Sequence, residues 1–93
     1  MTFEELKELE QNTELFFAGT SNDIYKVKFS KIKNNKCYLK FDDKDYSYEV
    51  ILCSEFLFKR KDEAIVYIYN KTKNKNVLMD YKDELKRYPE LFV

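Results

Sequence analysis

The chain has 93 residues with 17 basic and 17 acidic side chains, so its formal net charge is zero, and it is 44% hydrophobic, 37% charged and 17% aromatic. That length holds one domain and excludes a second. There is too much apolar surface for a disordered chain, and charge interrupts it too often for a membrane span.

Residues 2–5 form a capping box, in which the Thr2 hydroxyl accepts from the first helical turn and Glu5 reaches back, with Phe3, Leu6 and Leu9 on one face. The spacing predicts a short helix to about Gln11, with Glu4, Glu5, Glu8 and Glu10 suited to its N-terminal half and Asn12-Thr13 ending it. The opening MTFEELKELE is acidic where a secretory leader is basic and then apolar, which predicts a cytoplasmic protein. Residues 15–17 read as a strand, stopped by the turn 18–23 that holds the only glycine, Gly19.

Residues 24–32, 36–41 and 46–52 alternate apolar and polar side chains and predict an antiparallel meander. Facing residues in such a pair share a side of the sheet, which selects the register. A two-residue turn at Asn34-Asn35 sets Lys40 against Phe29 and mixes lysine into the core. A three-residue loop, residues 33–35 with one asparagine left-handed, sets Val27 against Phe41 and Phe29 against Leu39 instead. The turn 42–45 then pairs Phe41 with Tyr46, Leu39 with Tyr48 and Cys37 with Val50. The apolar face becomes Tyr25, Val27, Phe29, Cys37, Leu39, Phe41, Tyr46, Tyr48 and Val50.

Lys61-Asp62-Glu63-Ala64 resembles a first helical turn, and Ala64, Ile65, Ile68, Tyr69 and Thr72 share one helical face. A helix is preferred there, although the β-rich run 64–69 also allows a strand. A basic connection, 71–76, leads to a final amphipathic helix over 77–88 carrying Leu78, Tyr81, Leu85 and Tyr88, which Pro89 ends. The whole predicts an α+β domain over residues 1–93. It has an N-terminal helix, a strongly bent four-stranded antiparallel sheet, with an SH3-like small barrel as its closed variant, and one or two C-terminal helices.

Chemistry is sparse. No histidine and no glycine-rich loop is present, so neither a Cys/His nucleophile, an N/S zinc site nor a phosphate cradle can be built. Ser21, Ser30, Ser47 and Ser54 have no base to activate them. Cys37 and Cys53 are expected to be reduced and inert. Asp42, Asp43 and Asp45 lack the glycine and terminal glutamate of a calcium loop and read as a solvated turn. These absences predict a protein that is not an enzyme and takes no cofactor or metal.

From Ile24 to Phe41 there are six lysines, at 26, 28, 31, 33, 36 and 40, and no acid. With the register above, the face opposite the core carries Lys26, Lys28, Lys36, Tyr38 and Lys40, with Ser30 among them and Glu49 and Ile51 on the neighbouring strand. Such a face suits a nucleic-acid backbone, a nucleotide phosphate or an acidic protein surface. The bland account is that a chain with 15 Lys to 2 Arg places lysine on any half-exposed strand, where it also blocks aggregation. Residues 4–14 and 42–55 each net minus four, five acids against one lysine, so the positive field is local. Phe16, Tyr38, Tyr67 and the tail 91–93 exceed what a small core requires and offer an aromatic patch for protein recognition, unless the tail folds back on the domain. An open sheet edge at residues 15–17, or that tail, would allow self-association.

The order of a short acidic helix, a lysine-rich meander and the run SEFLFKRKDEAIVYI resembles small accessory proteins of phages and mobile elements of low-GC Gram-positive bacteria. In these a β-rich unit leads through a Leu-Phe step, here Leu57 and Phe58, into a Lys-x-Glu-Ala helix, here Lys61, Glu63 and Ala64. The lysine and asparagine usage, which follows AT-rich codons, agrees. The resemblance implies a phage-encoded inhibitor that binds and blocks a host defence protein in the bacterial cytoplasm, and it transfers no functional residue. A nucleic-acid-binding accessory protein using the lysine face, and a protein that sequesters a small nucleotide, are the alternatives.

Overall fold

A computed structural model describes residues 1–19 and 23–92. The capping box forms as the sequence requires: Glu5 N–H donates to the Thr2 hydroxyl at 3.1 Å and Thr2 N–H donates to the Glu5 carboxylate at 3.0 Å. Helix α1 (Phe3–Lys7) nevertheless stops well short of residue 11. Asn12 is left-handed with φ 71°, and its N–H is taken by the Phe29 carbonyl at 2.7 Å, so the chain turns onto the sheet instead of adding a helical turn.

Five strands follow: β1 (Glu14–Ala18), β2 (Ile24–Lys33), β3 (Lys36–Phe41), β4 (Lys44–Glu49) and β5 (Leu57–Phe58), in the spatial order β4-β3-β2-β1-β5. Every pairing is antiparallel, and the sheet is open, with β4 and β5 as its edges, so it does not close into the barrel variant. The expected count of four misses β5, because two residues leave no periodic signal. Nor are residues 15–17 an edge, since β1 lies between β2 and β5. Of the turn expected over 18–23, residues 20–22 lie outside the described residues. Gly19 is buried where a Cβ would come within 2.8 Å of the Phe17 ring, which accounts for the single glycine.

Both hairpins correct the expected registers. Asn34 and Asn35 form a two-residue turn, both left-handed at φ 53° and 62°, so Lys33 faces Lys36 and Ile32 faces Cys37. A β-bulge between Phe29 and Lys31 then inserts Ser30, and Phe29 meets Leu39 after all. A longer loop would give the same pair; the chain reaches it instead by absorbing a residue in the strand. The second turn is also tighter than expected, which pairs Phe41 with Lys44, Leu39 with Tyr46 and Cys37 with Tyr48. That register is displaced by two residues, so each side chain keeps its face. Residues 50–52 are not strand. Val50 N–H donates to the Asn35 carbonyl at 3.0 Å, and helix α2 (Val50–Phe56) folds back so that Val50 and Cys53 enter the core.

Layers form on both faces of the sheet. Leu15, Phe17, Val27, Phe29, Cys37, Leu39 and Leu57 line the inner face with Leu6 of α1 and Val50 and Cys53 of α2. On the outer face Phe16, Ala18, Ile24 and Phe58 meet Ala64 and Ile68 of helix α3 (Lys61–Thr72), which is helical as preferred. The single helix expected over 77–88 is broken. After a left-handed Lys73, helix α4 (Lys75–Asp80) ends at Tyr81, whose φ −115° and ψ 26° leave the helical region, and 3₁₀ turns follow over Lys82–Leu85 and Pro89–Phe92. Pro89 opens the last of these turns. Leu78 and Leu85 still reach Ile65, so the apolar spacing served packing without requiring a continuous helix.

Candidate binding surface

The outer face is only half covered. Along β2 the outward positions read Ile24, Lys26 and Lys28, changing from apolar to lysine where the cover of α3 ends at the Phe16–Lys26 pair. Lys26, Lys28, Lys36, Tyr38 and Lys40 share the uncovered half as expected, the lysines exposed and Tyr38 half-buried. The bulge adds two residues that the sequence reading missed. By inserting Ser30 it reverses the parity of β2, so Lys31 faces Tyr38 and Lys33 faces Lys36, and all six lysines lie on one side. The signal was present in the apolar spacing, which runs 25, 27, 29 and then 32.

Within this ladder Lys28 stands directly opposite Lys40 and Lys33 directly opposite Lys36. Such like-charged cross-strand pairs oppose folding. Lys31 Nζ lies 5.2 Å from the centroid of the Tyr38 ring, a cation–π contact. Acids frame the ladder on two sides: Glu14 bonds Lys26 at 3.3 Å, while Asp45 and Glu49 of β4 face Lys40 and Lys36. Ile51, expected beside them, is on α2 instead. At one end Glu14, Lys26, Val27, Lys28, Lys40, Asp42 and Asp43 enclose a shallow depression of about 420 Å³.

The expected aromatic patch does not assemble. Phe16 of β1 and Tyr67 of α3 each pack against the Ala18–Ala64–Ile68 cluster, Tyr38 lies in the lysine ladder, and Leu91 turns back onto the Ile65 cluster, leaving Phe92 exposed; Val93 lies outside the described residues. A different set of rings forms a chain: Tyr25 and Tyr46 flank Phe41 at 5.9 and 5.3 Å, and Phe41 leads through Phe17 and Phe56 to Tyr67 and Phe58. Burial raises the Tyr48 and Tyr67 hydroxyl pKa values above the usual range.

Cys37 and Cys53, distant in sequence, meet in the inner core and are fully buried. The Cys37 thiol beside it, and then burial, push the Cys53 thiol up, while Cys53 in turn draws Cys37 down. Both arginines of the chain bond one buried carboxylate: Asp62 accepts from Arg60 Nε at 3.2 Å and from an Arg87 Nη at 3.4 Å. That contact ties the start of α3 to the C-terminal segment. Among the described residues no three His, Cys, Asp or Glu side chains converge as a metal site, and no helix is long and apolar enough to cross a membrane. Compared with known proteins, the chain matches no family model, no curated protein and no solved structure.

Proposed function

We propose that this chain acts by stoichiometric binding, as a phage or mobile-element inhibitor that blocks a host protein, and that its lysine ladder meets an acidic patch of that target. The observation carrying this reading is the concentration of six lysines on the uncovered half of one sheet face, including two like-charged pairs, against three bordering acids, Glu14 opposite Lys28, Asp45 opposite Lys40 and Glu49 opposite Lys36. An acidic partner would neutralise those pairs on docking, so binding and relief of strain coincide. Acids at Glu14, Asp45 and Glu49 border the ladder, and a basic stripe with acidic margins matches a protein surface of complementary charge better than a uniform polyanion.

A nucleic-acid ligand is the second reading, favoured by Tyr38, whose ring lies among lysines in the arrangement that stacks a base beside its phosphates. One comparison tests both. The wild type and a variant with Lys28, Lys33, Lys36 and Lys40 each changed to Glu are used to capture partners from a host lysate, and both are titrated against single- and double-stranded DNA and RNA at low and high salt. A protein retained by the wild type and lost by the variant supports the first reading. Nucleic-acid binding that falls steeply with salt supports the second. Equal behaviour of the two proteins in every arm rejects the lysine face.

A further inference from the structure

The two edges of the sheet are unlike. β5 is two residues long, and Phe58 on it is covered by the Tyr67 ring at 5.3 Å. β4 presents six residues whose outward N–H and C=O groups meet no strand among the described residues. An edge of that length is a template for a further strand. Beside it on the inner face, Tyr46 and Tyr25 leave 46% and 43% of their surface exposed, with Phe41 between their rings.

We propose that β4 pairs antiparallel with β4 of a second copy of this chain, about a two-fold axis passing through Tyr46, so that two sheets join into one. The occupant follows from the charge order of the strand. Partners across the seam must share a face, so the axis falls on a residue. On Lys44 or Asp45 it sets identical charges together. On Ser47 it sets Asp45 against Glu49 twice, and on Tyr48 or Glu49 the overlap runs into α2.

On Tyr46 the two tyrosines meet, Lys44 of one copy faces Tyr48 of the other, and Asp45 faces Ser47. Each lysine then meets a ring and each aspartate a hydroxyl, and every pairing off the axis occurs twice. Glu49 falls opposite Asp43, which lies in the turn and outside the ladder. The charges of Lys44 and Asp45, which would repel an arbitrary strand, are therefore matched by this strand's own copy, and Glu49 is the one charged residue of β4 left without a matching partner. The joined sheet leaves the lysine ladder open, so the dimer is independent of the partner-binding reading.

Sedimentation equilibrium on the full chain is expected to show a concentration-dependent monomer–dimer equilibrium. Ser47→Asp sets acid against Asp45 at two places and weakens the dimer about tenfold, whereas Ser47→Lys faces Asp45 twice and tightens it about tenfold. Ser47 is exposed, so far-UV circular dichroism should be unchanged in both. Tyr46→Cys treated with oxidised glutathione should form an intermolecular disulfide, the two protein thiols being oxidised as glutathione disulfide is reduced to two thiols. A monomer at every concentration overturns the proposal. So does a dimer that both Ser47 variants shift in the same direction, or one in which Tyr46→Cys does not cross-link.

Discussion

Two halves of one sheet face follow the same backbone alternation and end in opposite chemistry. Under α3 the outward residues are Phe16, Ala18, Ile24 and Phe58; further along β2 and across onto β3 they are Lys26, Lys28 and Lys40. Side-chain character tracks the cover above it, not the strand that carries it. The lysine ladder is thus partly explained by exposure alone, since an uncovered outward position must be polar. Exposure does not explain why lysine faces lysine at two places, when acids stand one strand away.

The comparison predicts opposite tolerance in the two halves. Ile68→Ala, in the covered half, should lower unfolding free energy by about 2–4 kcal/mol in urea denaturation, because a fully buried side chain leaves a cavity against Ala18 and Ala64. A loss below about 1 kcal/mol would mean that α3 is not a fixed part of the core. Asp62→Ala should cost less, about 1–2 kcal/mol, since Arg60 and Arg87 remain more than half exposed and recover hydration. Its signature would be early exchange of amides in the C-terminal segment, followed by hydrogen–deuterium exchange.

The bulge gives a sharper test of how the open half is built. Deleting Ser30 restores simple alternation from Phe29 through Lys31 to Ile32 and leaves every side chain on its present face. The deletion should therefore cost no more than about 1 kcal/mol and keep the hairpin register. Deleting Lys28 instead removes a residue from the regular ladder and turns Val27 or Phe29 to the wrong side, which should prevent folding. Equal damage from both deletions, measured by thermal unfolding, would show that Ser30 is not the inserted residue.

That asymmetry also shows what the sequence made legible. The capping box, the alternation of β2 and β3, the helix at residue 61 and the apolar face could all be read, because each depends on local periodicity. The Phe29–Leu39 pair alone does not separate turn length from bulge, since a longer loop and an absorbed residue both give it, and only the apolar step from 29 to 32 tells them apart. The end of α1 depended on a distant acceptor, the Phe29 carbonyl, and the meeting of Cys37 with Cys53 on the return of α2. Four candidate lysines and Tyr38 were legible as a face; Lys31 and Lys33 joined it only through the inserted residue.

A milder prediction concerns acid. Thr2 and Lys59 hold the Glu5 carboxylate below its usual range by hydrogen bonds. A folded pKa below the unfolded one gives stability that is fully present above the unfolded value and is lost as pH falls through the folded value. Thermal unfolding of the wild type should therefore weaken below about pH 4.5 by an amount that Glu5→Gln removes. An unchanged acid limb in Glu5→Gln would place the dependence on other carboxylates.

The smallest effect bears most directly on function. Lys33 faces Lys36, and β1 ends before it, pairing only as far as Lys28, so Lys33→Glu converts one repulsive pair to an attractive one without touching another strand partner. The substitution should stabilise the fold by about 0.2–1 kcal/mol, an effect that shrinks at high salt. The same change should weaken capture of an acidic partner. If lysines stood there only because the half-face is uncovered, glutamate at 33 would improve stability at no cost to binding. A variant that gains stability and loses its partner is the outcome expected when a repulsive pair serves recognition. A variant that loses stability would show instead that the Lys33–Lys36 repulsion is already relieved within the fold, and that like-charged pairs here do not mark a binding face.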